Sequence, residues 1–243
     1  MQAPSRASAD RASADPAGAD PASAGLIVAD QVVEAAHVLS RLGLVTAFGH
    51  VSVRTRAGFA ISPAADLAVI DAGQVVGVPA EAVALPAGAP AEAWAHLAIY
   101  RARPDVAAIA RAQPPSAFAA AAAGRALHPL YGQACWLGET VPVHDDARLL
   151  RSHALAEAAA AALATGEALL LRGNGAVTVG ASPGLAVARM WLLAAACQVW
   201  TTTPAAERRA LSGSEIASWR AVQGELLPRL WQHLRRVTAK DPT

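Results

Sequence analysis

The sequence has few cysteines and few charged residues for its length. Cys135 and Cys197 are the two cysteines among 243 residues, and they lie far apart in apolar surroundings without CxxC spacing. They therefore indicate reduced core residues, and we expect a cytoplasmic protein. Lys, Arg, Asp and Glu make up 16% of the chain, and the formal net charge is +1. With so little basic charge, the sequence predicts neither a nucleic-acid partner nor a membrane-surface partner.

Long uninterrupted hydrophobic runs are also lacking. The longest apolar run, residues 184–200, contains Arg189 and Gln198 and is short for a membrane span, so it predicts a buried helix. The N-terminal residues lack a basic patch followed by an apolar stretch, so we expect no secretory signal peptide. Hydrophobic residues nevertheless make up 54% of the chain, which indicates one large domain with a substantial core or wide subunit interfaces.

The chain divides into a biased tail and a domain. Residues 1–25 repeat Ala-Ser-Ala-Asp with prolines between and have no large apolar side chain after Met1, so we expect a disordered tail. Residues 26–243 form the predicted domain. Apolar spacing and turn residues predict strands at 51–54, 58–62, 68–71, 106–112, 141–143, 168–172 and 176–179, and helices at 26–44, 91–102, 146–164 and 183–200. This order predicts helices on both faces of a mostly antiparallel or mixed sheet.

Four segments, in this order and spacing, carry a resemblance to a known family. They are Gly49-His50-Val51-Ser52-Val53-Arg54, Glu92-Ala93-Trp94-Ala95-His96, Arg103-Pro104-Asp105-Val106 and Leu170-Leu171-Arg172-Gly173-Asn174-Gly175. The set resembles the class II aldolase/adducin family, of the fuculose phosphate aldolase type. The resemblance implies an α/β fold, an α/β/α sandwich with a central, mostly antiparallel sheet. It also implies a homo-oligomer, commonly a tetramer, that acts on a small-molecule substrate at sites between subunits.

The resemblance fails at the metal ligands. Enzymes of this family hold a divalent cation with three histidines, two in a His-x-His pair and one before a glycine. Here those positions read Arg111, Gln113 and Asn174. A guanidinium stays protonated and repels a cation, and neutral amides are poor zinc ligands beside imidazole. The sequence therefore predicts no bound metal and no other cofactor.

The phosphate-binding residues of the family are also missing. The turn that carries hydroxyl groups in the family reads Ser62-Pro63-Ala64-Ala65, and the serine pair before the glutamate reads Pro90-Ala91. Alanine has no hydroxyl group and proline has no amide hydrogen, so groups that would bind a phosphate are lost. This composition disfavours a sugar-phosphate substrate.

Several residues of the family's site survive. Glu92 is at the position of the catalytic acid/base, although a solvated glutamate at a helix N-terminus is the simpler interpretation of the residue alone. His50 and Ser52 lie in the turn that contributes to the substrate pocket. Tyr131 lies in the loop from which the family brings a tyrosine acid across a subunit interface, and an interface tyrosine without chemistry is the alternative. His96 either orients Glu92 or is a structural histidine.

Two hypotheses of function compete. In the first, the protein is a metal-free lyase for a small carbonyl or carboxylate compound, working by retro-aldol cleavage, decarboxylation or isomerisation through an enolate. Arg111 replaces the metal's charge, Gln113 and Asn174 contribute amide groups, and Glu92 moves a proton. In the second, the protein is a non-catalytic, adducin-like scaffold with a vestigial pocket. Because all three metal positions became polar in an alanine-rich chain, the first hypothesis is favoured.

Overall fold

The computed structural model describes residues 21–239. The strands are β1 (His50–Thr55), β2 (Gly58–Ile61), β3 (Val76–Pro79), β4 (Ala108–Ala112), β5 (Val143–His144), β6 (Ala168–Leu171) and β7 (Gly175–Gly180). The helices are α1 (Pro21–Arg41), α2 (Ala93–Ala102), α3 (Pro115–Ala122), α4 (His153–Leu163), α5 (Pro183–Thr202), α6 (Gly213–Ala221) and α7 (Gln223–Thr238). Short 3-10 helices span Ala72–Gln74, Gly132–Leu137 and Ala205–Glu207.

The strands form one sheet in the order β3-β2-β1-β4-β7-β6-β5. Every neighbouring pair is antiparallel except β5 and β6. Strands β4, β6 and β7 consist of buried residues throughout, because side chains on both of their faces pack under helices. The expected α/β/α sandwich with a mostly antiparallel sheet is confirmed.

Two apolar cores lie on opposite faces of this sheet. Leu170 joins the core beneath α1, α3 and α5, whereas its neighbours Leu169 and Leu171 join the core beneath α2 and α4. This division follows from the two-residue alternation of side chains along a strand. Helix α5 begins where Ser182 Oγ accepts a hydrogen bond from the Leu185 amide. It is long and apolar enough to cross a membrane, but 61% of its most apolar window is buried inside the fold.

Three sequence-based boundaries need correction. Helix α1 begins at Pro21, five residues before the start of the helix predicted at 26–44, and residues 1–20 of the predicted tail lie outside the described residues. The strand predicted at 68–71 is wrong, because Asp71 caps a 3-10 turn through the Gly73 amide and the third strand follows at 76–79. Helix α4 begins at His153 rather than at residue 146, because Ser152 is its N-cap.

Candidate active site

The site lies at one end of the sheet, where two strands, a turn and a helix N-terminus meet. His50 at the start of β1 pairs directly with Arg111 near the end of β4. Asn174 occupies the turn between β6 and β7, and β7 lies beside β4. Glu92 is the N-cap residue of α2 and makes no capping hydrogen bond with its side chain, so its carboxylate is free to face the strands.

Arg111 places its guanidinium at the centre of the site, and the residue is only 3% exposed. Its Nη2 donates to the Asn174 carbonyl oxygen at 3.2 Å and also to the Asn174 side-chain oxygen. The same nitrogen lies 3.3 Å from Oε2 of Glu92. Asn174 Nδ2 donates to Oε1 of Glu92 at 3.0 Å, so the three side chains form a closed network. Burial lowers the pKa of Arg111, and the charge of Glu92 opposes this shift. A guanidinium is basic enough to stay protonated in proteins.

Gln113 completes the network. In one amide orientation its Nε2 donates to Asn174 Oδ1 at 3.2 Å. Turning the amide places its oxygen 3.2 Å from Nη1 and 3.0 Å from Nη2 of Arg111. Because a guanidinium has donors and no acceptor, the turned orientation suits Arg111 better. The structure therefore brings together all three positions at which the family's metal ligands were expected.

Gly175 allows the turn to approach β4. Its φ is +83°, and a Cβ atom at this position would lie 2.2 Å from the Ala112 carbonyl oxygen and 2.9 Å from Gln113 Cα. Only a residue without a side chain fits such a contact between two backbones. This close approach places Asn174 against Arg111 and Gln113.

A cavity of about 530 Å³ opens onto the network. Its lining includes the polar groups of His50, Glu92, Arg111, Gln113 and Asn174. It also includes four small residues without a polar side-chain group: Ala64, Ala65, Pro90 and Ala91. These are the positions at which the family's phosphate-binding residues are missing, so all four substituted positions line the same cavity.

His50 and His96 form a buried pair next to Arg111, with ring centroids 5.7 Å apart. His96 Nδ1 is 2.7 Å from Ser52 Oγ. Among the described residues, His50 Nδ1 and His96 Nε2 have no hydrogen-bond partner. Burial lowers the pKa of both imidazoles, that of His96 to about 3, and the charge of Arg111 lowers them further. Both rings are therefore neutral at neutral pH.

Ser52 lies behind the cavity rather than in its lining. It is fully buried, and its hydroxyl bridges His96 and the Tyr100 hydroxyl at 2.8 Å. Arg54 likewise has a structural environment, because it donates to the carbonyl oxygens of Val106 and Tyr100. These contacts tie β1 to α2 and thereby hold Glu92 and His50 in place.

Tyr131 lies away from the cavity in the single chain. Among residues 21–239, those lining the cavity do not include it. It packs at the edge of the core beneath α5, where burial, and then the nearby Cys197, raises the pKa of its phenol to about 12. Within one chain, Tyr131 therefore does not join the other candidate site residues.

Sequence reasoning missed three residues at the mouth of the cavity: Phe48, Leu149 and Arg151. Phe48 and Leu149 are 65% and 46% exposed, which is unusual for large apolar side chains. The segment containing Leu149 and Arg151 was predicted to be helical, so these two residues were not predicted to lie in a loop beside the cavity. Phe48 could have been identified as the residue preceding the glycine turn.

The residues present do not fit a divalent cation. Within the described part of the chain, no three His, Cys, Asp or Glu side chains cluster as a metal-binding group. The place where three imidazoles would converge is occupied by a buried guanidinium and two amides. A fixed positive charge at this point would repel a metal ion.

Comparison with known proteins agrees with the fold and the motifs. The family profile described as Class II Aldolase and Adducin N-terminal domain matches residues 30–201. The 3,4-dihydroxyphthalate decarboxylase of Terrabacter sp. (strain DBF63) is 31% identical over 177 residues, covering 65% of this chain and 73% of that protein.

Solved structures lead to the same family. L-fuculose 1-phosphate aldolase from Glaciozyma antarctica PI12 superimposes with a TM-score of 0.76 at 21% identity, covering 92% of this chain and 94% of that one. L-fuculose-1-phosphate aldolase from Thermus thermophilus has a TM-score of 0.66 at 28% identity, covering 72% of this chain and 94% of that one.

Proposed function

This chain belongs to the class II aldolase and adducin family, and on that premise we propose that it is a lyase that removes CO₂ from a small carboxylated substrate without a divalent metal. The observation that carries the proposal is the buried Arg111 guanidinium, which faces a cavity beside Glu92. The names of its decarboxylase relatives support carbon–carbon cleavage of a carboxylate over retro-aldol cleavage of a sugar phosphate. The missing phosphate-binding groups point the same way.

Arg111 supplies the charge stabilisation in this proposal. When a carboxylate departs as CO₂, its bonding electron pair must move to an oxygen elsewhere in the substrate. A guanidinium held in a water-poor site stabilises that oxyanion, because its donors are already oriented and the local dielectric constant is low. Gln113 and Asn174 fix the guanidinium through the contacts described above.

Glu92 moves the proton. Its carboxylate takes the proton of a substrate hydroxyl whose oxygen lies at Arg111, and returns it to the carbon that carries the carboxylate. The carbon–carbon bond then breaks, CO₂ leaves, and the electron pair returns to the oxygen as an enolate or phenolate. One proton from solvent neutralises that oxyanion, so the net reaction is RCOO⁻ + H⁺ → RH + CO₂. Glu92 lies 3.3 Å from Arg111, within reach of an oxygen bound there.

A non-catalytic scaffold is the second candidate. Arg111 and Glu92 already pair with each other and with Asn174, and such a satisfied cluster is also what a vestigial pocket would contain.

We also propose that Tyr131 reaches the cavity of a neighbouring copy in a cytoplasmic homotetramer, as the family resemblance implies. A tetrameric mass by light scattering, together with loss of activity in Tyr131→Phe, would support that role.

The proposed function is tested by CO₂ release from 3,4-dihydroxyphthalate and simpler ortho-hydroxybenzoates, before and after dialysis against a chelator. We expect activity to survive chelation. Because proton transfer by a positioned side chain contributes about 10²–10⁴-fold, Glu92→Gln should lose about 100-fold or more. The matched control is Glu139→Gln, an exposed glutamate outside the cavity, which should be unchanged.

Two outcomes count against parts of the proposal. Activity that disappears on chelation and returns with Zn²⁺ or Mn²⁺ would refute the metal-free mechanism. Absence of CO₂ release from every hydroxylated carboxylate, together with no thermal shift on adding them, would favour the scaffold.

A further inference from the structure

Arg151 is an exposed cation in the lining of the cavity, and the proposed decarboxylation leaves it without a role. We propose that Arg151 binds a second carboxylate of the substrate, one that stays on the product, and thereby selects dicarboxylates over monocarboxylates. This inference rests on the proposed function and makes Arg151 a specificity-determining residue of the same site.

The first reason is the charge of the cavity lining. Among residues 21–239, the charged side chains of the lining are those of Glu92, Arg111 and Arg151. Glu92 and Arg111 lie 3.3 Å apart and compensate each other, and burial keeps His50 neutral. Arg151 therefore gives the lining one positive charge that its other side chains do not balance, and this charge favours an anionic group on the ligand.

The second reason is that the Arg151 guanidinium is not engaged in an ion pair. The loop before α4 contains two aspartates, and each pairs with another arginine. Asp146 pairs with Arg148, and Asp145 pairs with Arg172. Within the described part of the chain, none of the ion pairs includes Arg151. It can therefore bind a carboxylate through two parallel hydrogen bonds without first breaking an ion pair.

The backbone that carries Arg151 is held in place. Its amide donates to the Leu149 carbonyl oxygen at 2.7 Å. The preceding residue, Leu150, is only 3% exposed and packs in the core beneath α2 and α4. The following residue, Ser152, is the N-cap of α4. Because the backbone is already fixed, ordering this side chain on a ligand costs less conformational entropy.

The third reason comes from the reaction. The charge of the leaving carboxylate disappears as CO₂ forms, so a cation paired with that group would stabilise the ground state more than the transition state. A carboxylate that stays on the product keeps its charge throughout. Arg151 paired with the second carboxylate therefore stabilises both states equally and lowers KM without opposing the chemical step.

Two exposed apolar side chains indicate the body of the ligand. Phe48 and Leu149 line the same cavity as Arg151 and are 65% and 46% exposed. A ligand that covers them removes apolar surface from water. An aromatic ring with a hydroxyl group for Arg111 and a second carboxylate for Arg151 matches these features. The substrate class that we infer is a hydroxylated aromatic dicarboxylate.

The binding test compares two ligands that differ in one carboxylate. Loss of the carboxylate next to a hydroxyl converts 3,4-dihydroxyphthalate into 3,4-dihydroxybenzoate, which keeps the carboxylate assigned to Arg151. Catechol keeps only the hydroxyls. In titration calorimetry, Arg151→Gln should weaken the binding of 3,4-dihydroxybenzoate about 5- to 10-fold, the effect of one charge-assisted contact partly screened by water. The affinity for catechol should change by less than about 2-fold, because catechol has no charge to pair with Arg151.

Kinetics provide a second readout. With 3,4-dihydroxyphthalate, Arg151→Gln should raise KM by about 5- to 10-fold and change kcat by less than about 2-fold, because the contact is the same in the ground and transition states. 2,3-Dihydroxybenzoate has the leaving carboxylate and both hydroxyls but no second carboxylate, so its KM should rise much less. A higher kcat in Arg151→Gln would overturn the assignment, because Arg151 would then bind the carboxylate that leaves.

Two further variants separate a specific contact from the general charge of the loop. Arg148→Gln removes the same charge from the same loop, but Arg148 pairs with Asp146 outside the cavity lining, so ligand binding should be unchanged. Arg151→Lys keeps the charge but loses the two-point geometry, so it should recover part of the affinity. Equal losses of affinity in Arg148→Gln and Arg151→Gln would contradict a specific contact.

The outcomes distinguish this inference from the proposed function. CO₂ release with an unchanged KM for 3,4-dihydroxyphthalate in Arg151→Gln would refute the inference, while the decarboxylase proposal would stand. Arg151-dependent binding of 3,4-dihydroxybenzoate without any CO₂ release would support the carboxylate site and refute the decarboxylase proposal. Equal losses for 3,4-dihydroxybenzoate and catechol would overturn the contact, because Arg151 would then act through the shape of the cavity.

Discussion

A double-mutant cycle on Glu92 and Arg111 tests whether their charges interact as the structure indicates. The single changes Glu92→Gln and Arg111→Met and their combination remove each charge while keeping side chains of similar length. Arg111 and Glu92 side chains are 4% and 13% exposed, and their closest atoms lie 3.3 Å apart. The pair is therefore shielded from water, unlike a surface ion pair.

The magnitude follows from Coulomb's law and the cost of burial. Two unit charges at this separation attract by about 5 kcal/mol at an effective dielectric constant of about 20. Removing one partner leaves the other charge buried without compensation, so each single change should cost about 2–4 kcal/mol of unfolding free energy. Removing both charges relieves that penalty. We expect the double variant to be more stable than the sum of the single effects predicts, by about 2–3 kcal/mol.

Urea unfolding at neutral pH and one fixed protein concentration, followed by far-ultraviolet circular dichroism, measures these free energies. Equal slopes with urea in all four proteins are needed for the comparison. A coupling free energy below about 0.5 kcal/mol would mean that the two charges do not interact in solution, and the geometry of the site would be refuted. The double variant should be stable but inactive, which would separate the charge's role in activity from its role in folding.

Three further predictions address the surroundings of the site. Because folding lowers the pKa of His50 and His96 below 6.5, the unfolded chain binds more protons in acid. The contribution of these two histidines to the unfolding free energy should therefore be fully present above about pH 6.5. It should decrease towards pH 3, by up to about 1.4 kcal/mol per pH unit for each histidine. A pH dependence that His96→Gln does not reduce would contradict this prediction. Gly175→Ala should destabilise the protein by well over about 1 kcal/mol in urea unfolding, because its Cβ would strike the Ala112 carbonyl oxygen. The control Gly173→Ala has a similar φ of +70° but a Cβ no closer than 3.4 Å to Ala147, so it should cost only about 1 kcal/mol. Equal effects would be evidence against the close backbone approach. Histidines placed together at the three positions of the family's metal ligands should bind Zn²⁺ in titration calorimetry, because the side chains there already contact one another, and absence of heat would contradict that convergence.

The accuracy of the sequence-based predictions depended on how local the determining contacts are. Helix α5 was predicted well, because Ser182 and Pro183 specify its start within a few residues. The strand predicted at residues 68–71 failed because Asp71 satisfies nearby amides in a turn, and the start of α4 was misplaced because alanine-rich sequence gives little boundary information before Ser152.

The site shows the same division. Its residue types could be identified from motifs, yet their contacts join positions far apart in the chain. Asn174 is 63 residues from Arg111 and 82 from Glu92. Ser52 belongs to the same motif as His50, and side chains two residues apart in a strand share a face. Ser52 is nevertheless absent from the cavity lining, because its hydroxyl is buried against His96 and Tyr100.

The sequence by itself determined the family, the layered fold and the chemical character of the site. A guanidinium and two amides replace imidazoles, and alanine and proline replace hydroxyl-bearing residues, and these identities require no coordinates. Only the tertiary structure decided that Arg111 pairs with Glu92, that Ala64, Ala65, Pro90 and Ala91 line the same cavity, and that Tyr131 lies outside its lining. The physical reason is that residue types fix which interactions are available, whereas strand register and the close backbone approach at Gly175 fix which of them form.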